Sequence, residues 1–365
     1  MTITPIEVEA TDGKARVGVV TTPRGTFRTP VFMPVGTRGA VKAMAAPDLE
    51  DLGAEVVLGN TYHLMLRPGA DVVAELGGLG AFSGWNGHTL TDSGGYQVFS
   101  LSPDVDDDGV TFRSTYDGST HRLTPEGAVE VQQQIGADIQ MVLDVCPPLP
   151  SPPEVLRLAV ERTTAWATRA RRHHTREDQA LFGIVQGGVD PVLRAEAAAR
   201  TVAIDFDGYA IGGLSVGEDR DEMLPALDAA VELLPHDCPR YLMGVGDPIG
   251  LVEGVARGID MFDCVLPTRL ARHGTMLTSQ GRVNLKNAVH ARDSGPLDAA
   301  CDCQVCGRWS RAYLRHLLQV NEPTALRLLS WHNLAWTLGL MDSIRAAVAA
   351  GTLNGLRRDL RAVWG

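Results

Sequence analysis

Eight short apolar, β-prone runs recur along the chain, and each ends in a polar residue, a cysteine or a glycine-containing turn. They are VFMPVG (31–36), EVVLGN (55–60), HTLTD (88–92), IQMVLD (139–144), LFGIVQ (181–186), GYAIGG (208–213), RYLMGV (240–245) and IDMFDC (259–264). Helical periodicity is clear between the later runs, at 151–172, 190–203, 221–234 and 247–258. A strand–helix rhythm repeated eight times predicts an α/β fold of the (β/α)8 TIM-barrel type. The competing arrangement is an open doubly wound sheet, but no G-x-G-x-x-G follows the first run. Residues 104–123, DVDDDGVTFRSTYDGSTHRL, carry turn signals at DDDG and YDG and read as a hairpin inserted after the third strand. The early segment 1–30 reads as a small β-structure preceding the barrel. The expected organisation is a barrel over 1–270, a small C-terminal subdomain over 271–345, and a C-terminal helix over 346–365 packing on the barrel.

In such a barrel the loops at the C-terminal strand ends build the active site. Taken in order, those ends supply Asn60, Asp92, Asp144, Gln186, Gly212/Gly213, Gly244 and Asp263. A single Asp there is accounted for by helix capping. Three carboxylates and two amides around one mouth point to chemistry.

Three of the six cysteines, Cys301, Cys303 and Cys306, fall within six residues, in CDCQVC. That spacing suits a metal rather than a disulfide framework. His332 follows 26 residues after Cys306 and would complete a tetrahedral Cys3His site for structural Zn2+. Spacing alone leaves His316 and His290 open as the fourth ligand. No His cluster stands at the strand ends, so the metal is expected to be structural.

A net charge of −11 argues against nucleic acid at first sight, but the charge is uneven. Residues 269–315 hold eight Lys/Arg against three Asp/Glu, so the rest of the chain sums to −16. A polyanion could dock on that stretch and avoid the remainder; an ordinary solvated basic face is the other reading. No run of 18 apolar residues and no signal-peptide layout is present, so a cytoplasmic protein without a membrane anchor is expected.

Seven further motifs stand along the chain: NTYHLMLRPG (60–69), TDSGGYQVFSL (91–101), GIVQGG (183–188), GGLSVGE (212–218), MGVGDP (243–248), MFDCVLPTR (261–269) and LKNA (285–288). Together with the Cys301/Cys303/Cys306/His332 set, they resemble those of the bacterial-type tRNA-guanine transglycosylases. The resemblance spans about residues 15–345. It implies a barrel with a zinc subdomain, homodimerisation, and exchange of the wobble guanine in tRNAs with GUN anticodons (Asp, Asn, His, Tyr). The incoming base would be 7-aminomethyl-7-deazaguanine, the queuosine precursor. Base exchange at C1′ without strand loss calls for double displacement, as in retaining glycosidases. By resemblance Asp263 is the nucleophile that forms the covalent ribose intermediate, and Asp92 the general acid/base. Asp144 would accept from the guanine N1–H and 2-amino group, while Gln186 and the Gly213 N–H would donate to O6. The Leu214 carbonyl would take the aminomethyl group, and Tyr96 and Met243 would sandwich the base. Ser93 joins the substrate-binding set, and Asn60 bonds either Asp92 or the ribose, or caps a turn. Cys146 and Val216 look like the bacterial variants at positions bearing on which base enters. Arg269 and Arg272 lie ready for neighbouring uridines and phosphates, with Lys286, Arg308, Arg311 and Arg315 extending the basic face. Arg24, Arg28, His63 and His173–His174 read as surface or structural residues. Three rivals remain in play: a non-catalytic tRNA-binding subunit, a retaining glycoside hydrolase, and a barrel metallohydrolase.

Overall fold

The computed structural model describes residues 5–365; residues 1–4, the start of the expected N-terminal β-structure, lie outside the described residues. Three antiparallel strands come first, β1 (Glu7–Asp12), β2 (Ala15–Thr22) and β3 (Gly25–Thr29). The parallel sheet then begins with β4 (Val31–Met33) and β5 (Val35–Gly36), and continues with β6 (Val56–Gly59) and β7 (His88–Thr91). An antiparallel excursion follows: β8 (Asp104–Val105), β9 (Val110–Arg113) and β10 (Thr120–Leu123). The sheet resumes with β11 (Ile139–Met141), β12 (Ala180–Val185), β13 (Gly208–Ile211), β14 (Arg240–Leu242) and β15 (Met261–Asp263).

These nine parallel segments run in the order β4-β15-β14-β13-β12-β11-β7-β6-β5. β4 and β5 are two halves of one strand interrupted at Pro34. Proline has no N–H to give to a ladder, although its carbonyl still accepts from the Leu58 N–H at 3.0 Å. The chain changes partner across it: β4 pairs with β15 and β5 with β6. The interruption therefore closes the sheet into an eight-stranded barrel, and each strand falls on one of the eight runs. Both faces of a barrel strand are covered, which is why β12 is buried at all six positions and reads as an unbroken apolar run.

Helices cover the outside, among them Pro125–Ile135, Pro153–His173, Pro191–Val202, Arg220–Val231 and Pro248–Val255. Asp190, Asp219 and Asp247 cap three of them by accepting from first-turn N–H groups. Asp92, Asp144 and Asp263 cap none: the helices that follow their strands start at Gly95, Pro153 and Leu266. The insertion at 104–123 is a three-stranded meander rather than a two-stranded hairpin. Its first turn is fixed by Asp106 Oδ1, which accepts from Asp108 N (2.8 Å) and Gly109 N (3.0 Å). The Asp107 carbonyl anchors it to the barrel by accepting from Trp166 Nε1 at 2.8 Å.

After β15 and the short helix Leu266–Arg272 come a hairpin, β16 (Thr275–Thr278) and β17 (Gly281–Asn284), and the helices Gln304–Arg308 and Arg311–Gln319. The 27-residue helix Pro323–Ala349 then returns to the barrel, packing on β1, β2, β4 and Leu266–Arg272. Helix Leu353–Trp364 ends the chain, and its Arg357 and Arg361 converge with Arg257 on the buried Glu253. Among the described residues no helix is long and apolar enough to cross a membrane.

The β1–β3 sheet covers the N-terminal ends of the barrel strands. Arg16 donates to both oxygens of Asp260, at 2.8 and 2.6 Å, and to the carbonyls of His236 and Cys238. Arg24 pairs with Asp138 and Arg28 with Glu55, each acid lying just before a strand begins. The Arg16–Asp260 pair is almost wholly buried, and Asp260 also holds Arg240 N at 2.7 Å. Removing one partner of such a pair strands the other charge in a dry interior. Asp260→Ala is therefore expected to lower unfolding free energy by about 3–5 kcal/mol in a urea titration. A loss below 1 kcal/mol would show that the pair does not hold this end of the barrel together.

Candidate active site and metal centre

At the opposite, C-terminal mouth lies a cavity of about 380 Å³. Asn60, Asp92, Ser93, Tyr96, Asp144, Gly213, Leu214, Met243, Asp263 and Arg269 all line it. The strand ends thus bring ten of the candidate residues to one space. Gln186, Arg272 and Lys286 are not on its wall.

Each carboxylate has its own set of donors. Asp92, one residue beyond β7, accepts from Asn60 Nδ2 (2.6 Å) and Gln97 Nε2 (2.9 Å) on Oδ2 and from Thr61 N (2.8 Å) on Oδ1. The Asn60 side chain bonds Asp92 and makes no cap bond to the helix it precedes. Burial pushes the Asp92 pKa above its ordinary value, and nearby Asp263 adds to the rise; the three donors oppose it. Asp144 accepts from Ser93 Oγ (3.2 Å) and Gln186 Nε2 (2.6 Å), and burial pushes its pKa up to about 6. Asp263 closes β15 and takes both its donors on Oδ1: the Tyr241 hydroxyl at 2.5 Å and Gly244 N at 2.8 Å. Among the described residues no donor meets its Oδ2. Burial raises the Asp263 pKa as well, while Tyr241 and Gly244 pull it down.

Gln186 stands behind this wall. One Nε2–H is spent on Asp144, and Oε1 is buried without a partner among the described residues. The Gln186 side chain and the Gly213 N–H both lie against the Cys146 thiol. Gly213 has φ +64°, a conformation that strains any residue with a Cβ, and a Cβ there would also displace Gln186 Oε1, 2.2 Å away. Tyr96 is 61% exposed although it lines the cavity, an open aromatic face at the mouth. Cys146 and Val216 also line it, and burial pushes the Cys146 and Cys264 thiols up to about 12, so both are neutral.

The basic face is thinner than the sequence suggests. Lys286 and Arg308 are exposed, and Arg272 is partly buried. Arg311 is occupied internally by Asp293 and the Leu297 carbonyl, and Arg315 donates to the Asn287 carbonyl and Gln319. Arg311 is thus a clasp inside the lobe, because its helix starts where the 293–297 loop needs donors.

The side chains of Cys301, Cys303, Cys306 and His332 gather so that their ligand atoms lie within 4.8 Å of one another. The three Sγ atoms stand 3.8, 3.6 and 3.3 Å from His332 Nδ1. Ligands at ordinary zinc distances on a tetrahedron are separated by roughly 3.5 Å, so the cluster can hold such an ion. His332 Nε2 lies 2.9 Å from the Leu277 carbonyl, which fixes the tautomer and leaves Nδ1 to face the sulfurs. His290 is instead beside Asp293, and His316 is exposed; the imidazole that joins the three thiols is that of His332.

Three residues of the site have no counterpart in the strand-end reading: Gln97, Tyr241 and Arg194. Gln97 lies one turn into the helix after β7, and Tyr241 lies inside an apolar run, where nothing marks its hydroxyl. Arg194 had a signal. It shares the buried stripe of its helix with Ala197, Ala198 and Thr201, at i+3, i+4 and i+7.

A family model described as queuine tRNA-ribosyltransferase matches residues 11–365. A relative of that name from Pelotomaculum thermopropionicum is 55% identical over 347 residues, covering 94% of both chains. One from Halothermothrix orenii is 53% identical, covering 95% of this chain and 93% of its own. One from Desulforamulus reducens is 52% identical over 361 residues, covering 98% of each. With both the family model and these relatives matching nearly end to end, this chain belongs to the queuine tRNA-ribosyltransferase family.

Proposed function

We propose that this chain is a tRNA-guanine transglycosylase, a pentosyltransferase of queuosine biosynthesis. It exchanges the wobble guanine of GUN-anticodon tRNAs for 7-aminomethyl-7-deazaguanine. The observation that carries the reading is the convergence of three differently held carboxylates in one cavity, beside the exposed Tyr96 and the partly buried Met243. The names of the relatives, which specify ribosyl transfer on tRNA, support it.

An anticodon-loop base is already single-stranded, so turning it into the cavity is cheaper than opening a duplex. Tyr96 and Met243 flank the base. Asp144 accepts from N1–H and the 2-amino group; Gly213 N–H and Gln186 donate to O6, displacing their contact with the Cys146 thiol. Asp263 has one oxygen tied to Tyr241 and Gly244, which orients the other as the nucleophile. That oxygen bonds C1′ as the C1′–N9 pair leaves with guanine, and Asp92 delivers a proton to the departing base. The incoming base returns a proton to Asp92 as its nitrogen takes C1′ from Asp263. Burial lets Asp92 hold a proton, and its three donors let it release one. A non-catalytic subunit would not need this division of labour among acids, and no His ligands stand here for a metallohydrolase.

Cys301, Cys303, Cys306 and His332 would hold a structural Zn2+, whose part is to cross-link the lobe. Arg269, on the cavity wall, would meet the tRNA next to the reacting nucleotide, with Arg272 and Lys286 beyond.

Radiolabelled guanine is expected to enter unmodified tRNA-Tyr, with 7-aminomethyl-7-deazaguanine suppressing it. Asp263→Asn should lower kcat at least a thousandfold while guanine still binds; retention of a tRNA adduct by that variant would sink the nucleophile assignment. Asp144 must be ionised to accept two N–H groups, and its pKa stands at about 6. Guanine KM should therefore rise as pH falls from 7 to 5, approaching about tenfold per unit below pH 6. A KM flat across that window would remove Asp144 from base recognition. Atomic absorption should find one zinc per chain, and stripping it should lower Tm and tRNA affinity while sparing guanine binding. Unchanged Tm in metal-free protein would contradict a structural role.

A further inference from the structure

Among the described residues Arg194 is the one arginine that is fully buried beside the proposed base site, and no carboxylate among them pairs with it. Its donors end on four backbone carbonyls instead. Nε reaches Gly188 (2.7 Å), Nη1 reaches Val185 (2.9 Å) and Gly212 (2.7 Å), and Nη2 reaches Gly213 (3.1 Å). Burial lowers its pKa only to about 10, so the charge persists at neutral pH. An unpaired buried cation is a costly way to tie two loops together, and a neutral side chain could fill the same space. The targets suggest what the charge does. The Gly212 carbonyl and the Gly213 N–H are the two ends of one peptide unit. The Gly213 carbonyl and the Leu214 N–H are the ends of the next. A cation on the carbonyl oxygen polarises the unit and makes its N–H a stronger donor. Gly213 and Leu214 both line the cavity.

We propose that Arg194 is a positioning residue for base recognition: it fixes the turn at 212–214 and strengthens the Gly213 N–H that meets a purine 6-oxygen. This rests on the base placement proposed above. The effect would matter most when C1′–N9 breaks, because the electron pair left on the base spreads onto that oxygen.

The test compares guanine with 6-thioguanine, which keeps N1–H and the 2-amino group but offers a weakly accepting sulfur. Inhibition constants against labelled guanine exchange, or direct binding where a variant is inactive, are measured for wild type, Arg194→Met and Arg194→Lys. Arg194→Met should weaken guanine about tenfold, the difference between a charge-reinforced and a neutral hydrogen bond, and 6-thioguanine much less. The preference for guanine therefore narrows. Arg194→Lys, charged but reaching fewer carbonyls, should fall between, and it carries the test alone if Arg194→Met does not fold. Equal weakening of both bases, or of neither, overturns the role of Arg194 and leaves the transglycosylase reading standing. Wild type that binds neither base overturns both.

Discussion

Asp92, Asp144 and Asp263 face one small cavity without a cationic partner among the described residues, and the dry surroundings make each charge dearer. Everything at the barrel mouth is arranged around that constraint. Among the described residues no lysine or arginine pairs with Asp92, Asp144 or Asp263; neutral donors hold them instead. Neutral donors lower a pKa less than a cation would, so all three remain above the ordinary carboxylate value. Their donors also differ in kind and placement: three on Asp92, two side chains on Asp144, a phenol and an amide on one oxygen of Asp263. Identical side chains thereby acquire different proton affinities and different free lone pairs, which is what separate roles in one reaction require.

The barrel divides its electrostatics between its two ends. At the N-terminal end, acids just before the strands meet arginines of the β1–β3 sheet, and the Arg16–Asp260 pair is sealed from water. At the C-terminal end Asp92, Asp144 and Asp263 are held by neutral donors, while Asp247, also on the cavity wall, pairs with Arg220. Ion pairs therefore secure the closure of the barrel at its N-terminal end, and at the mouth, among the described residues, three of the carboxylates stay free of cations. Arg194 departs from this division only by stopping behind the wall, where it touches carbonyls and not acids.

The parts of this arrangement visible in the sequence are those with a period or a terminal mark. Eight apolar runs gave eight strands because a barrel strand is buried on both faces, and the last polar residue of a run is the one that reaches the mouth. The capping alternative for the strand-end acids could not be decided that way, since Asp190, Asp219 and Asp247 look similar in sequence and do cap helices. Tyr241 was silent because its ring belongs in the apolar run and only its hydroxyl does anything else. Arg311 misled for the opposite reason: charge in a sequence does not say whether the side chain faces water or the 293–297 loop. The meander read as a hairpin because β8 is two residues long, too short to show alternation.

The metal cluster and the cavity are coupled through one helix. His332 and Asn333 are adjacent on Pro323–Ala349, and both are buried. His332 reaches the Leu277 carbonyl, while Asn333 accepts from Leu277 N at 3.0 Å and donates to the carbonyls of Pro267 and Thr275. Pro267 opens the helix that starts three residues after Asp263 and carries Arg269 to the cavity wall. An ion held by Cys301, Cys303, Cys306 and His332 would fix the rotation of the long helix, and Asn333 links that helix to the segment that follows Asp263. A lobe none of whose described residues beyond Arg269 lines the cavity is thus tied to the helix that carries Arg269. A metal on this helix would brace the segment after β15, the part of the mouth that the barrel strands do not hold.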